Sequence, residues 1–439
     1  MELSTRFSAS GLGGLQVLSV DGGIAFCRGW RDTTEGSRNG VLVMLPASEQ
    51  PTPAALDRLA HEYSFRDELD RTWAVRPLEL ERDRGQTVLV LEDPGGELLG
   101  GLLGTPMEVG RFLRLAVGVA VALGQLHQRG LIHKDIKPAN ILVNAANGEV
   151  RLTGFGIASR LPRERQAPSP PEFIAGTLPY MAPEQTGRMN RSIDSRSDLY
   201  SLGITFYQTL TGALPFNAHD PMEWVHCHIA RMPMPPQQRL QTIPAQISQL
   251  VMKLLAKTAE ERYQTAAGLE HDLRRCRAEW EAQGRIDPFP LAAHDFTDRL
   301  LIPEKLYGRD QEVAVLLGAF EHVVSTGMPE LVLVSGYSGI GKSSVVHELH
   351  KVLVPPRGLL AVGKFDQYMR DIPYATLAQA FQSLVRQILS KSERELQGWR
   401  DVLREALAPN GLLIVDLIPE LELVIGKQPP VSDLPPQDS

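Results

Sequence analysis

Apolar and polar residues alternate with a period of two along LQVLSV, from Leu15, and GIAFCRGW, from Gly23, on either side of Asp21-Gly22-Gly23. Such alternation predicts two strands, and the Asp-Gly-Gly between them predicts a tight hairpin turn. GVLVML, ending at Leu45, is a third predicted strand, and TVLVL, running into EDPGG, a fourth. Between these two the period changes. Leu56, Leu59, Tyr63 and Leu69 fall roughly on one helical face, which predicts a helix over 52–69. From Met107 to Gly130 the apolar residues come close to all round, the pattern of a buried helix. A short hairpin is expected around Asn147-Gly148, followed by a polar loop rich in Pro and Arg and by helical patterns from Ser195 to about Glu279. No internal repeat is visible.

Pro and Gly then break the periodicity over GRIDPFPLAAHD, so a linker is expected over 281–302 between domains at 1–280 and 303–439. The second domain is read as a helix over Asp310–Thr326, an apolar strand over Leu331–Val334, a Gly-rich loop and a further helix. LLAVGKF reads as another strand and Tyr374–Leu389 as another helix. The Pro-rich end, KQPPVSDLPPQDS, is expected to fray.

Composition narrows the class. At 439 residues the chain has room for two or three cores, and 43% hydrophobic with 22% charged residues is ordinary for a globular protein. A net charge of −7 and the lack of a basic run argue against a nucleic-acid partner. Cys27, Cys227 and Cys276 are far apart and odd in number, the usage of a reducing compartment. The start of the chain shows no signal pattern, and the longest apolar run, Leu115 to Leu123, is short of the ~20 residues that span a bilayer. A cytoplasmic protein without a membrane segment is expected.

Chemistry enters at HKDIKPANIL, His133 to Leu142. It resembles the catalytic loop of protein kinases, with Asp135 at the base position, Lys137 facing the transferred phosphate and Asn140 at a magnesium-ligand position. The resemblance extends over most of 15–275. Gly156 ends a Gly-Phe-Gly turn, and GTLPYMAPE supplies Thr177 and the Ala-Pro-Glu stop at Glu184. SDLYSLGITFYQ places Asp198 where a helix braces the catalytic loop, and ERYQTA places Arg262 where kinases pair an Arg with the Glu of the stop motif. The resemblance implies an α+β two-lobed protein-kinase-like fold, its small lobe over about 1–95 and its large lobe over about 96–280. MAPEQTGRMNRSIDSRSDLYSLG, with IPEKLYGRDQE and GKFDQYMRDIPY further on, is similar to the N-terminal part of large bacterial signalling proteins. In those, a Ser/Thr-kinase-like domain precedes an AAA-type ATPase domain, and sensor and histidine-kinase modules follow.

Two anchor positions depart from the kinase pattern. The strand lysine that neutralises ATP phosphates, held by a helix Glu for which Glu62 fits, is replaced by Met44. The metal-binding Asp that should open the Gly-Phe-Gly turn is Gly154. No lysine precedes Lys134, so the small lobe offers only arginines such as Arg28 or Arg31, and Gly22-Gly23 does not make a Gly-rich phosphate loop. These losses bear on one task and act as a unit.

In the second domain Gly336, Gly339, Gly341, Lys342 and Ser343 satisfy GxxxxGK[ST] after an apolar strand and before a helix. Backbone amides would wrap a β-phosphate, Lys342 would reach the β- and γ-phosphates, and Ser343 would ligate Mg²⁺. Tyr307-Gly308-Arg309 resembles the box that opens AAA-type domains. An acidic strand to complete the site is missing. LLIVD, ending at Asp416, is a candidate, but the following LIPELELVIG is similar to a family segment that lies before that strand. An incomplete α/β P-loop NTPase domain, from a fragment or a truncated product, is therefore expected.

His226-Cys227-His228 is not expected to chelate, because residues two apart on a helix point about 200° apart at ~3.6 residues per turn. Arg160 to Arg165 reads as a solvated charge run, and Ser159, Ser169 and Thr177 are weak phosphorylation candidates. Three readings stay open at this point. One is a Ser/Thr kinase with Asp135 as base, using ATP and Mg²⁺ at Asn140, with a protein substrate. Another is a pseudokinase acting as a regulatory module for a protein partner and for the ATPase half. The third is a nucleotide switch through Lys342.

Overall fold

The computed structural model describes residues 12–32, 38–48, 50–83, 86–144, 148–160, 176–187, 192–218, 220–296, 308–337, 340–347, 374–389 and 393–429, together with 349, 361 and 363. They fall into two compact units, Met1–Tyr307 and Gly308–Ser439.

The first unit opens with a five-stranded antiparallel sheet in the order β1-β2-β3-β5-β4. Its strands are β1 (Leu12–Asp21), β2 (Ile24–Asp32), β3 (Arg38–Pro46), β4 (Pro77–Asp83) and β5 (Gln86–Glu92). β3 is central, and its residues Val41 to Leu45 are all buried. Alternation sorts them by face. Val41, Val43 and Leu45 pack with Ala25, Cys27, Val88 and Val90. Leu42 and Met44 point the other way, into a cluster with Leu59, Val75, Leu89, Leu98 and Leu142. Met44 is therefore on the side of α1 (Pro53–Tyr63).

α1 is started by Thr52, whose hydroxyl accepts from the Ala55 amide, and by Pro53 in the first turn. It stops earlier than the expected Leu69. The Ser64 amide closes on Ala60 O and turns follow through residue 68, so Leu69 packs into the large-lobe core instead of continuing the α1 face. β4, PLELERD, and the helix over 393–407 were not anticipated from the sequence.

In the large lobe α2 (Val109–Gln128) is capped by Glu108, whose carboxylate accepts from the Gly110 and Arg111 amides. It is long and apolar enough to cross a membrane, but 67% of that stretch is buried in this fold, where it packs on the helix Ala266–Gln283 and the strand Val150–Leu152. The short strands β6 (Glu97–Leu98), β7 (Ile141–Val143) and β8 (Val150–Leu152) form a second sheet. The remainder is helical: α3 (Ser195–Thr211), α4 (Pro221–Ile229), α5 (Pro236–Arg239), α6 (Ala245–Leu254) and α7 (Ala266–Gln283). Residues 285–296, read as linker, fold back on this lobe. Asp295 accepts from Thr265 N and Oγ1 at 2.9 and 2.7 Å, and the Gln246 amide donates to Phe289 O at 2.8 Å.

The second unit contains α8 (Asp310–Thr326), α9 (Lys342–His347), α10 (Ala375–Leu389), α11 (Glu393–Leu407), α12 (Gly411–Leu417) and α13 (Glu422–Ile425). Val385, Ile388, Leu396, Ile418, Leu421, Val424 and Ile425 form its core. Among the described residues it has no paired strand. The expected strand Leu331–Val334 is without helix or ladder, with Leu331 84% and Leu333 82% exposed. A lone strand has nothing to take up its backbone polar groups, and most of LLAVGKF, its expected neighbour, lies outside the described residues. LLIVD is helix α12, so Asp416 is not on a strand.

Candidate functional site

The catalytic-loop residues are held by a buried lattice of polar contacts. Asp198, on α3, accepts from the His133 and Lys134 amides at 2.9 and 2.8 Å and from His127 at 2.9 Å. The buried His133 ring bonds Thr153 O through Nε2 at 3.0 Å and lies 4.7 Å from the Phe155 ring. Its Nδ1 accepts from the Asp135 amide, an arrangement that fits the tautomer with the proton on Nε2. Burial holds its pKa below the ordinary value, so the ring is neutral.

This frame presents Asp135. Its carboxylate meets Lys137 Nζ at 2.7 Å, accepts from Thr177 Oγ1 at 2.8 Å and from Asn140 Nδ2 at 3.1 Å. Burial by itself would raise its pKa, but the Lys137 ammonium and the Thr177 hydroxyl outweigh that and hold it below the ordinary value. Asp135 is thus ionised and aimed, as a hydroxyl-orienting base must be. Lys137 also donates to Thr177 Oγ1 and to Asp21, at the tip of the β1–β2 turn. At a distance, Glu184 and Arg262 form a bidentate buried pair, with Nη1–Oε1 2.7 Å and Nη2–Oε2 2.9 Å.

The phosphate and metal side is built differently. Glu62 is buried beside the cleft, but instead of a lysine it has the amide of Gly154, at 3.1 Å, and that of Phe155. Burial pushes its carboxyl up to about 7, and the two amides offset this only in part. Met44, in the lysine's place, is buried among aliphatic side chains. Arg28 and Arg31 do not substitute, since Arg28 pairs with Asp93 and Arg31 with Glu79 and Glu81. Gly154 has φ +80°, and a Cβ there would lie 2.6 Å from the Asn140 side chain. Asn140 in turn donates to Asp135 O and Oδ2. One amide oxygen and no carboxylate at Gly154 do not fit the paired magnesium ions of a kinase.

In the second unit Gly336 and Gly341 adopt φ +153° and +93°, and Lys342 Nζ donates to Gly336 O and Tyr337 O, both at 2.9 Å. The lysine thus lies along its own loop, within reach of whatever that loop wraps. Ser343 is the second residue of α9 and is exposed, open to ligate a metal. Gly339 and Ser169 lie outside the described residues. These groups fit a nucleotide phosphate chain. His228 is buried and bonded to Leu178 O, whereas His226 is exposed, so the two diverge as helical spacing requires.

The sequence did not single out Asp21 as a cleft residue. Asp21 was visible only as the first residue of a turn. Only the packing of the two lobes brings its carboxylate to Lys137.

A small lobe of five strands and one helix over a helical lobe, with Asp135, Lys137 and Asn140 between them, defines a protein-kinase fold. The protein kinase domain family matches residues 44–273, more than half of the chain, and the chain belongs to that family. Residues 305–439 match the AAA ATPase domain. Domains of both families use ATP and Mg²⁺ in general. The chain is 29% identical to hybrid signal transduction histidine kinase G of Dictyostelium discoideum over 420 residues, 76% of this chain and 12% of that protein. It is 38% identical to the serine/threonine-protein kinase PknB of Mycobacterium tuberculosis over 187 residues, 42% of this chain and 29% of that protein. It is 27% identical to histidine protein kinase 1 of Candida albicans over 359 residues, 75% and 14% of the two chains. The chain therefore spans under a third of each of these relatives.

Proposed function

We propose that the kinase-fold unit is a regulatory, protein-binding module without phosphoryl transfer, in a cytoplasmic signalling protein of the hybrid histidine-kinase kind. Its partner is the ATPase half or a second protein. The observation that carries this reading is Glu62. Its carboxylate accepts from the Gly154 and Phe155 amides where a kinase would hold its phosphate-binding lysine, and Met44 fills that space with an apolar side chain. The arrangement keeps α1 docked without a cation that ATP would have to share. ATP is assigned to the second unit, where Gly336, Gly341 and Lys342 would hold its phosphates and Ser343 a magnesium ion that neutralises them.

The test is Mg·ATP titration of the full chain by calorimetry. Lys342→Ala is expected to weaken binding about 100-fold, the loss of a charge-assisted contact worth roughly 2.7 kcal/mol. Binding unchanged by that substitution would move the ATP site out of the second unit.

A second reading, residual kinase activity, is favoured by the ionised and well-oriented Asp135. It is separated from the first by Met44→Lys/Gly154→Asp. Phosphoryl transfer to a generic protein substrate is expected only from the double variant, and at a low rate, because Asp at 154 must also displace Asn140. Transfer by the native chain that is abolished by Asp135→Asn would establish the kinase reading.

A further inference from the structure

We propose that residues 285–296 are a latch between the two units of the chain. Docked, this strap braces the segment that holds Glu184. Released, it loosens that segment, and the nucleotide state of the second unit decides between the two. The inference rests on the reading of the first unit as a regulatory module and gives that regulation a path.

The strap is tied to three consecutive residues. The buried Asp272 carboxylate accepts from Tyr263 Oη at 2.6 Å and from the Ala292 amide at 2.7 Å. Asp295 accepts from the Gln264 amide, as well as from Thr265 N and Oγ1. The residue before these three is Arg262, which grips Glu184. Gln264 carries the link onward. Its Nε2 donates to Arg262 O at 2.9 Å, and its Oε1 accepts from Arg196 Nη1 at 3.0 Å. A bonded path thus runs from Asp295 through Gln264 and Arg262 to Glu184, in the short helix Pro183–Thr186 that ends the activation segment.

The docking is built into α7 and balanced against release. Gly268 lies in the first turn of α7 and has no positive φ to explain it. A Cβ there would lie 2.4 Å from Asp295 Oδ1 and 2.5 Å from Asp295 Cβ, so the close approach of the strap requires the glycine. Ala292 adopts φ +63°, a left-handed conformation that is costly for a residue with a side chain. Its bond to Asp272 holds it there, and undocking relieves it. Burial opposes release: Phe289 is 9% exposed and lies under the Arg275 guanidinium, whose Cζ is 4.1 Å from the ring centroid. Phe296, next to Asp295, is 76% exposed. The chain that continues to the second unit therefore leaves beside Asp295, and a displacement of that chain acts first on the bonds to Gln264 and Thr265.

Hydrogen exchange by mass spectrometry on the full chain tests the latch. Gly268→Ala keeps a good helix former in α7 and is expected to speed exchange over 286–296 about tenfold. The same variant should speed exchange over 182–187 and leave α2 unchanged. Asp295→Ala attacks the contact from the other side and should reproduce both changes. The double variant should go little further, because both substitutions remove one contact. By reciprocity, Mg·ATP added to the native chain should change exchange in both segments, and added to Lys342→Ala it should change neither. Faster exchange over 286–296 with 182–187 unchanged overturns the proposal, and so does an unchanged strap in both variants. Faster exchange in α2 as well would make the strap part of the lobe's core and overturns it too. Lys342-dependent ATP binding that leaves the strap unaltered sinks this inference and spares the regulatory reading, whereas phosphoryl transfer by the native chain sinks that reading itself.

Discussion

Arg262→Met is expected to destabilise the kinase-fold unit by about 3–5 kcal/mol, the usual cost of removing one partner of a buried ion pair. Arg262 is fully buried and makes two parallel bonds to Glu184. It also donates to Ala256 O, Lys257 O and Arg196 O, at 2.8, 3.1 and 3.0 Å. Its removal leaves these acceptors without their donor and Glu184 as a buried charge supported, among the described residues, only by the Ser197 hydroxyl at 2.7 Å. Most of the cost comes from that stranded charge. Adding Glu184→Met to Arg262→Met should therefore recover a substantial part of the stability, because a pair of apolar residues replaces the ion pair as a whole. Urea unfolding of the full chain, followed by near-ultraviolet circular dichroism, measures both effects. A loss under about 1 kcal/mol for the single variant, or no recovery in the double, would show that the pair is not what ties the end of the activation segment to the lobe.

Glu62→Gln is expected to remove a pH dependence of stability. Burial raises the Glu62 carboxyl from 4.5 in the unfolded chain to about 7 in the folded one. The folded state therefore binds a proton more tightly than the unfolded state. As pH rises from about 4.5 to about 7, the unfolded chain has released its proton and the folded one has not, so stability falls through this window and levels off above it. The full effect is about 3 kcal/mol, since each tenfold difference in proton affinity between the two states is worth about 1.4 kcal/mol. Glutamine cannot ionise and still offers one oxygen to the Gly154 amide. The variant should match the native chain near pH 5 and exceed it in stability by roughly 1–3 kcal/mol at pH 8. Parallel pH curves for the two proteins would mean that Glu62 is ionised with a partner not accounted for. Met44→Lys provides the complementary check, since a cation at that position should pull the Glu62 transition back toward lower pH.

Much of the small lobe was legible because its information is local. An alternating run such as GVLVML can satisfy both a core and a ladder only as a strand, and Asp21-Gly22-Gly23 tolerates the positive φ of a tight turn. β4 was missed because PLELERD carries its charges at an edge position, where burial leaves little pattern. α1 was read as too long because Leu69 kept the helical period after the helix had ended, and nothing local shows that it faces the other lobe. The candidate site was legible in its residue types. HKDIKPAN named Asp135, Lys137 and Asn140, and Met44 and Gly154 marked what is absent.

In the second unit the phosphate-loop residues were legible as a motif, while the strand expected before it depends on neighbours. Leu331 and Leu333 are exposed because strand pairing is supplied by segments distant in sequence, and one candidate, LLIVD, folds as a helix.

The sequence by itself determined the kinase family, the order of the two domains and the loss of the lysine and the metal carboxylate, since each is a matter of residue type at a fixed spacing. Tertiary structure alone decided what replaced them. Glu62 turns to the Gly154 and Phe155 amides, Asn140 occupies the space in front of Gly154, and Asp21 meets Lys137 across 116 residues of chain. The first and last of these pairings hinge on how the two lobes close on each other, and spacing along a chain carries no record of that distance.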